Sequence, residues 1–262
     1  FGRKIAMTFI EALNSQDLEK IRKFPKADLH NHFVLGGSRE YIFNKTGYKI
    51  KSITTPLKSM GEMDSWSSKY IGNHFNSPEG RKLLIEATFA QAKFDGVTVL
   101  EIGEDVWGLG EFFDNDIEKM IFCFQEANAR IAPEIELRLQ IGLSRHCSVD
   151  YLMNCLSHFW GHKEFYSIDL YGDELAQSIA NFIPIYDKAA ENGLVLKAHV
   201  GEWGTAKDII TAVELLHLNE VQHGIAAVQD ENVIEYLIEN NIRLNITPSS
   251  NVLLGRVWHI IR

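Results

Sequence analysis

His30 and His32 stand one residue apart at the end of an apolar-leaning run that begins at Pro25. On a β-strand the side-chain period is two, so extended backbone would aim both imidazoles at one face. Two imidazoles side by side can chelate a borderline-soft cation such as zinc. The same spacing also occurs on ordinary surfaces and in cores, so the pair gains meaning only from what accompanies it. Further polar clusters recur down the chain, among them Glu101-Ile102-Gly103-Glu104, Ser144-Arg145-His146 and Asp169-Leu170-Tyr171-Gly172-Asp173-Glu174. His199-Val200-Gly201-Glu202, His223-Gly224 and Thr247-Pro248-Ser249-Ser250-Asn251 complete the series.

The elements between these clusters alternate. Residues 7–23 read as an amphipathic helix with a break and cap at Ser15-Gln16-Asp17. A first strand is predicted over 26–32. Gly36-Gly37 and a polar, aromatic-dotted stretch then predict helices and a lid-like insertion over 38–80. A helix over 80–94 leads through Asp95-Gly96 into a strand over 97–102, and a helix over 115–130 into a strand over 136–143. A strand over 166–170 follows, then a helix over 174–191 that passes through Asn192-Gly193 into a strand over 194–199. Two short strands are expected near 221–225 and 243–247. Short apolar strands alternating with helices and glycine-marked turns predict an α/β protein with a parallel sheet. Each polar cluster falls at the carboxyl end of a strand, where such sheets carry their chemistry. This pattern predicts a (β/α) barrel enzyme; seven units exceed the usual size of a flavodoxin-like open sheet. Residues 1–262 are expected to form a single barrel domain.

Composition excludes several classes. The 262 residues are 45% hydrophobic and 23% charged, an ordinary balance able to bury a large core. A net charge of −9 leaves no basic stripe to neutralise phosphates, so no nucleic-acid partner is expected. No apolar run reaches membrane-spanning length and no signal peptide opens the chain, so no membrane partner is expected either. Cys123, Cys147 and Cys155 are odd in number and lack zinc-ribbon spacing, which predicts buried thiols in a reduced, cytoplasmic protein. The opening Phe1-Gly2-Arg3-Lys4 lacks an initiator Met, which leaves room for residues upstream. The oligomeric state is not legible.

Pro25-Lys26-Ala27-Asp28-Leu29-His30-Asn31-His32 resembles the opening motif of the adenosine deaminase family of zinc aminohydrolases. His199-Val200-Gly201-Glu202 resembles its His-Ala-Gly-Glu motif. Leu170-Tyr171-Gly172-Asp173-Glu174, His223-Gly224 and Pro248-Ser249-Ser250-Asn251 resemble further family segments in the same order, so that the likeness spans 20–262. The resemblance implies a (β/α)8 TIM-type barrel and a small-molecule purine substrate, adenosine or a related 6-aminopurine. It implies Zn2+ held by His30, His32 and His199, and Glu202 as the acid that protonates the purine ring. His223 would orient the attacking water, and the backbone at Gly172 would contact a ring nitrogen.

The chemistry is coherent without the family. Removing ammonia from an aromatic amidine carbon needs hydroxide at neutral pH, and zinc lowers the pKa of water to about 7. Attack at C6 dearomatises the ring, so a ring nitrogen must gain a proton. A carboxylic acid three residues past a ligand, on the turn after the strand, can reach that nitrogen if burial keeps it protonated.

Two features depart from the family pattern. The sequence ends at Arg262, just after strand seven. The family's eighth strand, with one aspartate for zinc and another for the substrate, lies outside it, so the chain is expected to be a fragment or a truncated member. The family aspartate two residues after the second histidine, which helps hold the sugar, is replaced by Val34; the arginine after the strand-two glutamate is replaced by Gly103. Two other readings stay open: another amidohydrolase-type metal hydrolase, or a non-catalytic relative that binds purine. Two-metal hydrolases bridge their metals with a lysine on a middle strand, and Lys197, two residues before His199, does not fit that pattern. His74, His158, His162, His217 and His259 read as ordinary helix or loop residues, and Trp160 and Trp203 as packing residues able to roof a planar substrate.

Overall fold

The structure, a computed structural model, describes residues 8–257. Phe1–Lys4, the first residue of the predicted 7–23 helix and His259 lie outside the described residues. Seven strands form one sheet in sequence order. They are β1 (Lys26–Asp28), β2 (Val97–Ile102), β3 (Glu136–Ser144), β4 (Phe165–Tyr171), β5 (Val195–Val200), β6 (Glu220–His223) and β7 (Arg243–Asn245). Every neighbouring pair is parallel. This is a curled α/β barrel sheet with helical crossovers.

Local chemistry explains the helix boundaries. Asp17 caps Leu18–Arg22 by accepting from the N–H groups of Glu19 and Lys20, so the predicted break near Ser15 separates Phe9–Asn14 from this second helix. Ser77 caps Pro78–Asp95, with proline in the first turn where its missing N–H is harmless. Asp116 caps Ile117–Ile131 in the same way. The predicted helix over 174–191 is shorter than expected. Residues 174–178 form a turn, Ile179–Phe182 a 3-10 turn, and the α-helix is Ile183–Glu191. Pro184 fits only the first turn of a helix, and Glu174 is occupied elsewhere.

The two faces of the strands differ. Leu100, Ile102, Leu139, Ile141, Ile168, Leu170, Leu196 and Ala198 join the helices in the hydrophobic core. Each large side chain so buried stabilises the fold by about 1.5–3 kcal/mol. The alternate residues Glu101, Gln140, Ser167 and Lys197 meet one another inside the curl. Among the described residues β1 and β7 are the sheet edges. Their ends nevertheless meet, since the Nδ1–H of His30 donates to the Asn245 carbonyl at 2.7 Å.

The first strand is a correction. It stops at Asp28, so His30 and His32 lie beyond it and no strand alternation aims them. Among the described residues no helix is long and apolar enough to cross a membrane. The three cysteines are free but half-buried rather than buried.

Candidate active site

A cavity of about 420 Å³ opens at the carboxyl ends of the strands. His30, Glu104, Ser144, Gly172, His199 and His223 bring the ends of β1 to β6 to its wall, and Thr247 adds the end of β7. Met60, Met63, Asp64 and Ser67, from the helix Met60–Ser67, line it from the segment over 38–80.

His30, His32 and His199 converge, with ligand atoms all within 4.8 Å of one another. His199 Nε2 lies 3.0 Å from His30 Nε2 and 3.1 Å from His32 Nε2. The opposite ring nitrogens set the tautomers. His30 Nδ1–H is given to the Asn245 carbonyl, and His199 Nδ1 faces Asp169 Oδ1 at 3.2 Å. Both Nε2 atoms therefore present lone pairs. Burial, and then the neighbouring histidines, hold His30 and His199 well below the ordinary imidazole range. Lone pairs at this separation repel unless a cation lies between them, so the three residues fit a divalent metal with an open fourth position.

Glu202 sits on the turn after β5, buried and on the cavity wall. Burial, and then the charge of Glu174, push its carboxyl up to about 7. Asn251 Nδ2 donates both to Glu202 Oε1 at 3.2 Å and to His223 Nδ1 at 3.0 Å. His223 Nδ1 is also 3.4 Å from Glu202 Oε1. With Nδ1 accepting from Asn251, the His223 ring proton belongs on Nε2.

Gly172 lines the cavity with φ +91, a left-handed conformation that glycine takes without strain. The structure thus gathers all six residues singled out from the sequence at one cavity. The arrangement can bind a metal, hold a proton on a carboxyl and offer a backbone amide.

The sequence model of the adenosine deaminase family matches residues 108–261. A Treponema pallidum protein described as an adenosine/adenine deaminase is 30% identical over 242 residues, 92% of this chain and 81% of its own. The chain belongs to the adenosine deaminase family. By that membership it is a deaminase-class enzyme. The fold is shared with an adenine deaminase from Arthrobacter aurescens at TM-score 0.74 and 22% identity, covering 89% of this chain and 75% of that one. A zinc-bound amidohydrolase from Burkholderia ambifaria matches at TM-score 0.70 and 18% identity, over 96% of this chain and 71% of that one.

Several polar residues around the cavity and beneath it have contacts that sequence reasoning missed. Asp169, fully buried, backs His199 and receives Gln222 Nε2 at 3.4 Å. Its signal was a carboxylate between Ile168 and Leu170 inside a predicted strand. Lys197, also fully buried, pairs with Glu101 at 2.6 Å and Glu220 at 3.0 Å, so it is committed below the histidines. That pairing leaves it unsuited to bridging two metals. On the far wall Ser144 donates to Asp105, whose carboxyl burial pushes up to about 7, and Arg81 pairs with Glu104 at 2.8 Å. Neither tryptophan roofs this cavity. Trp203 lies under the Arg256 guanidinium and Trp160 lines a different pocket, while Trp107 is the tryptophan on the wall.

Proposed function

We propose that the protein hydrolytically removes the 6-amino group of adenosine, adenine or a related 6-aminopurine, with Zn2+ held by His30, His32 and His199. The observation that carries this reading is the meeting of three imidazole Nε2 atoms at the same cavity wall as a buried, readily protonated Glu202. Three imidazoles with an open position suit zinc. When bound, zinc supplies Lewis acidity and makes hydroxide available at neutral pH.

The chain's own groups do the rest. Glu202 carries a proton at and below neutral pH and gives it to a ring nitrogen as C6 becomes tetrahedral. His223, fixed through Nδ1 by Asn251 and Thr247, offers its Nε2–H to the oxygen of the attacking water. The Gly172 N–H donates to another ring nitrogen and fixes the plane of the purine. The single barrel domain works with the segment over 38–80 as its cover, supported by Met60 and Met63 on the cavity wall. Free cysteines support a cytoplasmic setting.

Elemental analysis together with ammonia release from adenosine and adenine tests the reading. About one zinc per chain and loss of retention in His30→Ala are expected. Tight zinc retention in His199→Ala would sink the assignment.

A further inference from the structure

Glu174 touches no reacting atom in the chemistry above, yet four successive backbone N–H groups converge on its carboxylate. Oε1 accepts from Gly201 at 2.6 Å, and Oε2 from Glu202 at 3.0 Å, Trp203 at 2.7 Å and Gly204 at 3.2 Å. A concave run of amides of this kind binds anions, and here the anion belongs to the protein. Only 4% of Glu174 is exposed. A Cβ at position 204 would lie 2.6 Å from Glu174 Oε1, so the turn closes around the carboxylate only with glycine there.

We propose that Glu174 is a positioning residue that sets the spacing between Gly172 and Glu202. The proposal rests on the reading of those two residues as the groups that grip the purine ring. Glu174 follows Gly172 by two residues on the loop after β4, and it holds the backbone of Glu202 on the turn after β5. One side chain therefore joins the two loops. The far side of the turn is held separately, by Arg256 Nε donating to the Glu202 carbonyl at 2.7 Å. Glu174, Arg256 and His223 are the ionisable groups facing Glu202, and of these Glu174 raises its proton affinity while Arg256 lowers it. Proton delivery is realised only as the ring dearomatises, so misplacing Glu202 acts on turnover more than on substrate capture.

Glu174→Gln keeps the shape of the side chain but turns an NH2 towards amide donors and removes the charge. Steady-state deamination of adenosine and adenine by the full chain, read across pH, is compared with Glu174→Asp and Glu202→Gln. In Glu174→Gln, kcat is expected to fall at least about tenfold with KM changed less than about threefold. The basic limb of its kcat profile moves to lower pH, because Glu202 loses its proton more easily. Glu174→Asp restores the charge and returns the limb towards the wild-type position, with kcat only partly recovered. A Glu174→Gln enzyme with lower Tm but an unmoved limb shows a merely structural role and overturns the proposal. Normal kcat in Glu174→Gln beside an inactive Glu202→Gln overturns the proposal and leaves the function standing. Normal turnover in Glu202→Gln removes both.

Discussion

Asp169 Oδ1 stands 3.2 Å behind His199 Nδ1, on the side of the ring away from the other two histidines. The contact fixes which ring nitrogen carries the proton and which keeps its lone pair. Asp169→Asn keeps the volume but loses the charge that orients and strengthens the ligand. Metal affinity, measured by competition with a chelator, is expected to fall about ten- to a hundredfold. Unchanged affinity would show that the carboxylate contributes only to folding.

Glu202→Gln removes the transferable proton while keeping size. Turnover is expected to fall at least about a hundredfold with metal content unchanged. The sign of the wild-type pH dependence follows from the raised pKa. Glu202 acts when protonated, so kcat holds below about 7 and declines as pH rises through that value. A kcat profile still rising between pH of about 7 and 9 would place the proton on another group.

Val34 lies on the short helix Phe33–Gly36 and lines the cavity, at the position where the resemblance implies a sugar-holding aspartate. Ser38 and Arg39 do not replace that partner. Ser38 caps the following helix, and Arg39 reaches Ser52 at 3.1 Å. A buried hydroxyl left unpaired costs about 1–3 kcal/mol, or about ten- to a hundredfold in affinity. Adenosine is therefore expected to be handled less well than 5′-deoxyadenosine, with Val34→Asp narrowing the gap. If adenosine wins by about tenfold or more in kcat/KM, the argument from Val34 is wrong.

Lys197 neutralises Glu101 and Glu220 inside the curl. Lys197→Met would leave two buried carboxylates without their shared cation, although Arg243 still reaches Glu220 at 2.9 Å. Breaking such a pair costs about 3–5 kcal/mol, which denaturant unfolding should register as a lower midpoint. A midpoint equal to that of the wild type would mean the carboxylates simply take up protons.

The alternation of strands and helices and the candidate site residues were legible from the chain alone. Apolar runs, capping residues and glycine turns are local patterns, and parallel strands place their polar ends together by topology. His30, His32, His199, Glu202, His223 and Gly172 were named through the resemblance of their motifs to the adenosine deaminase family, and all six reach one cavity. Only the tertiary structure decided how they meet. His30 and His32 lie past the end of β1, so no side-chain period aims them; the curl of the sheet brings them to His199, up to 169 residues away. The same curl places the Asn245 carbonyl against His30 and leaves two imidazole lone pairs facing each other. Glu174 read as the start of a helix because local pattern favours one there. Its carboxylate instead took four amides from a turn that begins 27 residues later. Contacts of that range depend on how the sheet closes, and no window of sequence contains that information.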